Sequence, residues 1–308
     1  MKRIVITGPT GAIGIAIIQR MIKENIEVLA ICNPTSNRID RIPKSPLVTI
    51  KKCDLNDIKK FSVDNKESYD VFYHLGWNGT IGIARNDLFM QNANIKNAID
   101  AVDLANRLGC HTFIGVGSQA EYGPTEEILK PDTKTFPDTG YGMGKLCAGM
   151  MTRLRCEQLG MKHIWIRVLS VYGPYDGWGS MIMSTICDFM SGISPKTTKG
   201  EQLWDYLYSK DAAEAFYLAG QRGKNSAVYC LGSGEAKPLK DYICTIQKVV
   251  NPNIDVEFGA IEYSPKQVMY LCADISALNQ DLDFKPETDF EDGIRETWLW
   301  CKNNKVEK

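Results

Sequence analysis

Histidine is scarce in this chain: three residues in 308. That leaves little scope for His-based metal sites or Ser-His-Asp chemistry. The ten cysteines stand singly, with no C-x-x-C pair among them, which argues against zinc ligation and against a disulfide framework. Charge of one sign is also lacking. The formal net charge is −1, so there is no basic field for nucleic acid or an anionic membrane surface. No apolar run approaches the ~18–20 residues that span a bilayer. Met1-Lys2-Arg3 followed by apolar residues resembles the start of a signal peptide. The polar, glycine-rich stretch from Thr7 interrupts it, however, and no small-residue cleavage site follows. The expectation is a cytosolic protein with reduced, mostly buried cysteines.

The most informative stretch is TGPTGAIG, Thr7 to Gly14. An apolar run, Arg3 to Ile6, precedes it and predicts a buried parallel strand. Ile15, Ile17, Ile18, Met21 and Ile22 then recur at helical spacing, and Glu27 to Ile31 predicts a second strand. This is a β-α-β unit with a glycine-rich first turn. Gly8 permits the tight turn, Gly11 lets the backbone approach a pyrophosphate, and Gly14 lets the helix pack close to the sheet. With Thr10, Ala12 and Ile13 they form the expected phosphate cradle, aided by the N–H groups and dipole of the helix N-terminus. The composition is that of an ordinary globular protein, and the length predicts one large α/β domain with an added lobe, or two domains.

An acid is missing after the second strand, where NAD-preferring sites place one against the adenosine ribose. Cys32 and Asn33 stand there, followed by hydroxyls and Arg38 and then Arg41. A guanidinium suits a 2′-phosphate, so the loop favours NADP over NAD; the alternative is a solvated surface arginine. Further strands are predicted over Leu47–Ile50, Asp70–Trp77 and Thr112–Val116, with helices over Asn56–Phe61, Asp87–Leu108, Tyr141 to about Leu159, and Glu291–Cys301. Asp54 is placed either to accept from an adenine amino group or to cap the helix that follows. With it Leu55 enters the candidate cofactor contacts. His74 sits in an apolar strand and reads as a core residue.

Ser118 lies at the carboxyl end of a predicted strand, the side on which doubly wound sheets bind ligands. Tyr141 and Lys145 follow on a helix at i and i+4, hence on one face. An ammonium beside a phenol lowers its pKa from about 10 and makes it usable as an acid or base. Two glycines in the first turn of that helix weaken it, which suggests a close approach to its backbone.

With these motifs in place, the chain resembles the extended short-chain dehydrogenase/reductase family, in its nucleotide-sugar epimerase, dehydratase and reductase branch. The resemblance is carried by TGPTGAIG, YHLGW, GSQAEYG, YGMGK, RVLSVYGP (Arg167–Pro174) and GEQLWDYLYSKDAA (Gly200–Ala213). It implies a doubly wound (Rossmann) parallel sheet over residues 1–171, with 211–231 returning to it, and a smaller, interleaved C-terminal substrate-binding lobe over most of 172–308. It implies a triad of Ser118, Tyr141 and Lys145. It also implies cofactor contacts at Leu75, Gly76, Trp77, Asn94, Val116, Leu169 and Val171, and substrate contacts at Asn78, Ser118, Gln119 and Tyr141. Trp178 could touch the nucleotide base or simply pack the lobe. A homodimer through the helices 94–108 and 141–159 is expected as well, although their apolar faces are equally consistent with core packing.

Two departures narrow the reading. Dehydratases of this branch carry Thr-Asp-Glu where this chain has Ser118-Gln119-Ala120, which argues against water elimination. Many relatives place a diphosphate-binding arginine where Trp204 stands; Lys210 or Lys266 is expected to take that role, unless the phosphate end sits differently, while the Trp204 indole itself could stack on a base or sugar or simply pack the lobe. The expected function is an NADP-dependent reductase of a keto group on a nucleotide-linked deoxysugar. The alternatives are an NAD-dependent 4-epimerase and a non-catalytic cofactor sensor, the latter disfavoured because Tyr141 and Lys145 are both present. No metal, nucleic acid or membrane partner is expected.

Overall fold

Short apolar runs pair as one parallel sheet because both of its faces are covered. The computed structural model describes residues 1–62, 68–265 and 267–304. The sheet strands are β1 (Arg3–Thr7), β2 (Glu27–Cys32), β3 (Val48–Lys52), β4 (Val71–His74), β5 (Thr112–Ser118), β6 (Lys162–Val168) and a seventh, Ala227–Leu231. Their spatial order is Ala227–Leu231, β6, β5, β4, β1, β2, β3. Along β1 the side chains alternate between two cores. Ile4 and Ile6 join Ile15, Ile18 and Phe216 on one face, while Val5 joins Leu29, Phe72, Ala101 and Phe113 on the other. Burial on both faces explains why β1, β2 and β4 read as unbroken apolar runs, whereas the edge strand β3 is mostly exposed.

Helix α1 (Ala12–Lys23) and helix Ser209–Arg222 cover the first face. Helices α2 (Leu88–Arg107) and α3 (Gly140–Gln158) pack side by side on the other. Asp87 caps α2 by accepting from the Met90 N–H at 3.0 Å. The expected helix at 56–61 is instead a 3₁₀ helix, Leu55–Lys60, with Asp54 as its cap.

The chain leaves the sheet after β6 and crosses Ser170–Tyr172, which pairs in parallel with Tyr206–Tyr208. It returns through helix Ser209–Arg222 and strand Ala227–Leu231, the latter paired with β6. The remaining segments form a smaller core around Tyr172, Ile182, Met183, Phe189, Tyr208, Ile246 and Ile294. The C-terminal helix Phe290–Asn303 buries Ile294 and Cys301 there, as its spacing predicts. Asp205 fastens this part to the sheet. Its buried carboxylate accepts from the N–H groups of Ser233, Gly234 and Ala273 at 2.6, 3.2 and 3.0 Å. No described helix is long and apolar enough to cross a membrane.

The order reverses between β1 and β4, whose ends Thr7 and His74 are register partners. The crevice at such a reversal is where open α/β sheets bind ligands.

Candidate active site

Gly8 adopts a positive φ of +68°, and a Cβ on it would lie 2.8 Å from the backbone of Leu75 and Gly76. The first turn therefore presses against the chain leaving β4, a contact only glycine allows. A Cβ on Gly14 would meet the Gly8 carbonyl at 2.5 Å, whereas one on Gly11 would meet nothing within 4 Å. Gly11 is also the N-cap of α1, with no side chain capping it and no acid in the first turn. The first-turn N–H groups thus lack a side-chain acceptor and suit an anion. Thr7 joins the strand ends: its Oγ1 lies 2.9 Å from His74 Nδ1 and accepts from the Gly76 N–H at 3.2 Å. His74 is a buried core residue, and burial lowers its pKa to about 3.

A cavity of about 280 Å³ opens beside this turn, lined among others by Gly8, Thr10, Asn33, Arg38, Gly76 and Trp77. An open glycine, uncapped helix donors and an arginine at the far end fit a dinucleotide. At the adenosine end Asp54 proves to be a cap, accepting from Asn56 N–H at 2.9 Å and from the Asn33 side chain at 3.1 Å. Of its two roles left open by sequence, the structure shows this one. Burial, then the neighbouring charge of Arg38, pushes the Arg41 guanidinium below its ordinary value, so the two cations lie close together.

At the other end, Ser118 closes β5 and its hydroxyl accepts from Ala120 N–H at 3.2 Å. Tyr141 lies close enough to Ser118 for that hydroxyl to favour its phenolate form. A Cβ on Gly142 would fall 2.2 Å from the Ala120 carbonyl, so the weak first turn of α3 is what brings Tyr141 to the serine. That helix end is held by Thr139, which accepts from Gly142 N–H at 3.1 Å, and by Asn86, which accepts from Gly140 N–H at 2.9 Å. Lys145 is 3% exposed. Its ammonium donates to the Val116 carbonyl at 2.7 Å and lies 3.9 Å from the centre of the Trp77 ring. Burial lowers its pKa to about 7, against the opposing charge of Glu121.

The spacing of Tyr141 and Lys145 predicts a phenol depressed by its ammonium; the structure corrects this. The Tyr141 pKa is raised, because burial outweighs the neighbouring Ser118 hydroxyl and the charge of Arg85. Lys145 is turned toward Val116 and Trp77, with its nitrogen 5.8 Å from the centre of the phenol ring.

Several residues that sequence reasoning passed over build this centre. Glu121, fully buried, accepts from Ser118 N–H at 2.8 Å, from Trp165 Nε1 at 3.0 Å and from Arg167 Nε at 2.7 Å. With Ser118 it forms a capping box, a signal legible as S-x-x-E over Ser118–Glu121. The Trp165 indole fills the space left bare by Gly115, Gly117 and Gly149. Arg85 stacks on Tyr141, with its guanidinium carbon 4.4 Å from the ring centre.

The remaining predicted residues scatter. Asn78 lines the dinucleotide cavity rather than a separate substrate site. Asn94 holds the Asn78 backbone through hydrogen bonds of 3.1 and 2.8 Å, a clamp on the turn. Trp77 lines the cavity and donates to Gln91 at 2.8 Å. Gln119 begins the 3₁₀ turn after Ser118. Leu169 is buried in a cluster with Tyr122 and Cys230, and Val171 packs on the α1-side core. The Trp204 indole packs on that Leu169 cluster and donates to Ser170 Oγ at 2.8 Å, which leaves packing as its evident role. Trp178 is 42% exposed and stacks on Trp300. Lys210 does not replace the missing arginine: it pairs with Glu296 at 2.5 Å, beside a different cavity walled by α1 and helix Ser209–Arg222. Lys266 lies outside the described residues. Among the described residues no cluster of three or more His, Cys, Asp or Glu could hold a metal ion.

The model of the NAD dependent epimerase/dehydratase family matches residues 4–232. The chain is 24% identical over 308 aligned residues to a CDP-abequose synthase of Salmonella typhimurium, covering 95% of this chain and 96% of that protein. It is 27% identical over 222 residues to a dTDP-glucose 4,6-dehydratase of Escherichia coli, covering 65% of this chain and 61% of the dehydratase. Among solved structures, a UDP-N-acetylglucosamine 4-epimerase of Methanobrevibacter ruminantium M1, determined with UDP-N-acetylmuramic acid, superposes with a TM-score of 0.88 at 26% identity, over 98% of this chain and 99% of that one. The chain therefore belongs to the NAD dependent epimerase/dehydratase family and is an NAD(P)-dependent enzyme of the extended short-chain dehydrogenase/reductase type, in its nucleotide-sugar branch.

Proposed function

We propose that this enzyme is an NADP-dependent reductase of a keto group on a nucleotide-linked deoxysugar. The observation that carries the reading is the closeness of Tyr141 to Ser118, beside a cavity lined at its far end by Arg38 and by no acid. Gly8 to Gly14 would cradle the pyrophosphate, and Arg38, with Arg41 behind it, would hold the 2′-phosphate. Bound there, a reduced nicotinamide supplies the hydride. Ser118 polarises the substrate carbonyl, and Tyr141 gives its phenolic proton to the carbonyl oxygen. Lys145 orients the nicotinamide ribose.

Water elimination is disfavoured. Positions 119 and 120 carry no acid, and the nearby carboxylate of Glu121 is committed to Arg167, Trp165 and the Ser118 backbone. A 4-epimerase using NAD is the second reading, favoured by the fit to the Methanobrevibacter enzyme over nearly the whole of both chains. Large apolar side chains exposed on α2 and α3 (Phe89, Met150 and Leu154) support a homodimer through these helices.

The test is to identify the co-purified nucleotide by mass and then follow 340 nm absorbance with a panel of nucleotide keto-sugars. Net NADPH consumption, abolished in Tyr141→Phe with cofactor still bound, is expected. Sugar isomerisation without cofactor loss would replace this reading with the epimerase, and full activity in Tyr141→Phe would end both.

A further inference from the structure

Positive charge gathers at the adenosine end of the dinucleotide cavity, around a strand end that carries none. Strand β2 ends at Cys32, which is buried and lines that cavity together with Arg38. A short 3₁₀ segment, Ile39–Arg41, follows, closed by the Arg41 N–H donating to the Arg38 carbonyl at 3.1 Å. Residues i and i+3 of such a turn eclipse, so Arg38 and Arg41 share one side of it. Ile39 and Ile42 pack on the α1-side core, which also holds Cys32. Strand β3 brings a third cation. Lys52 is the register partner of Cys32. It stands on the same face of the pleat as Val48, which packs on the α1-side core, so Lys52 too lies on the α1 side of the sheet. Lys51, the partner of Ile31, lies on the other.

Resting on the NADP reading above, we infer that Lys52 joins Arg38 and Arg41 in holding the 2′-phosphate and is a residue that decides between NADP and NAD. Among the described residues no carboxylate forms an ion pair with any of the three cations. Asp54, just beyond Lys52, is committed to the Asn33 side chain and the Asn56 N–H. Like charges gathered in this way repel one another, at a cost that an anion seated among them removes. A phosphate monoester brings about two negative charges at neutral pH, with oxygens for two guanidinium forks and an ammonium. Cys32 is what lets the cations gather. Burial pushes its thiol up to about 11, opposed by the charge of Lys52, so it stays protonated and adds no charge. An acid at that strand end would pair with Lys52 and repel the phosphate.

NAD presents only hydroxyls at this position, so the attraction of Lys52 falls on the phosphorylated cofactor. Lys52 touches no reacting atom and acts through cofactor choice alone. Lys51 is its control: the same charge, one residue away on the same strand, on the wrong face.

The experiment needs no sugar substrate. The full chain, stripped of nucleotide, is titrated with NADPH and with NADH by calorimetry. The unaltered protein is compared with Lys52→Gln, Lys52→Arg and Lys51→Gln, each checked for folding by circular dichroism. Both lysines are exposed, so the substitutions should leave the fold intact. Lys52→Gln should weaken NADPH binding about tenfold or more, the scale of one contact to a charged group, and NADH binding less than about twofold. Lys52→Arg should keep most of the NADPH affinity, and Lys51→Gln should change neither cofactor. The NADPH difference between the unaltered chain and Lys52→Gln should also shrink as salt is raised. Unchanged NADPH affinity in Lys52→Gln, an equal loss for both cofactors, or an equal NADPH loss in Lys51→Gln overturns the inference. Should Lys52→Gln fail to fold, Lys52→Met carries the same expectation. An NADPH preference that survives Lys52→Gln leaves the NADP reading standing and removes Lys52 from it. Tighter binding of NADH than of NADPH by the unaltered chain ends both. A preference for NADPH that depends on Lys52, with no turnover on the sugar panel, keeps the assignment while the reductase reading falls.

Discussion

Glu121→Ala tests whether one buried carboxylate holds Ser118 in place. Glu121 is 0% exposed and Arg167 6%. Removing the carboxylate strands a guanidinium whose remaining hydrogen bond is to the Pro131 carbonyl at 3.1 Å, apart from its stacking on Tyr122 at 4.5 Å. It also leaves the Ser118 and Trp165 N–H groups without their acceptor. Breaking a buried pair by deleting one partner costs about 3–5 kcal/mol. Each orphaned N–H adds about 1–3 kcal/mol when taken alone, but the groups share one cavity and are not additive. A total near the upper end, about 5 kcal/mol, is expected. At roughly 2–4 °C per kcal/mol for a chain of this order of size, the melting temperature should fall by about 10–20 °C. The assay is urea unfolding followed by tryptophan fluorescence, with calorimetry as a check. Glu121→Gln keeps an acceptor for Ser118 and should cost less. The double variant Glu121→Ala with Arg167→Met removes the stranded charge and should recover part of the loss. A Glu121→Ala cost below about 1 kcal/mol, or a double variant no more stable than the single, refutes the reasoning.

Three further outcomes follow from the same geometry. Gly11→Ala should leave unfolding unchanged while weakening dinucleotide binding at least tenfold by titration calorimetry, because its methyl would enter only open space beside the cradle. Gly14→Ala should destabilise the fold by several degrees, since its methyl would strike the Gly8 carbonyl at 2.5 Å; equal effects of the two on stability would refute the assignment. Lys145 has its pKa lowered by burial from 10.5 to about 7. Between those values the unfolded chain binds more protons than the folded one, so stability rises with pH there, and the penalty of the buried charge is whole below about pH 7. Stripped of nucleotide, the protein should gain urea stability between pH 7 and 9 relative to Lys145→Met, and a difference that stays flat over that range refutes the burial of the ammonium.

What was legible in the sequence was set by local periodicity. Ile4-Val5-Ile6 announced a strand covered on both faces, and the spacing of the glycines announced a turn whose atoms nearly touch the next strand's exit. Ser118, Tyr141 and Lys145 could be picked out because strand ends and helix faces are countable. Direction and reach are not countable. The i, i+4 spacing puts Lys145 on the face of Tyr141 but says nothing of where four methylenes lead, and here they lead to a carbonyl of β5. Arg85 left no trace, because the segment from Gly79 to Asp87 has no period; its shape comes from Gln91 and Asn94 on the following helix. Glu121 did leave one, three residues after a serine. A capping box normally reads as the start of an exposed helix, and only the arrival of Arg167 and Trp165 from β6, more than forty residues on, turns it into a buried anchor. The proposed catalytic residues could be picked out along the chain. The charges that set their protonation arrived from other elements, through contacts that no spacing encodes.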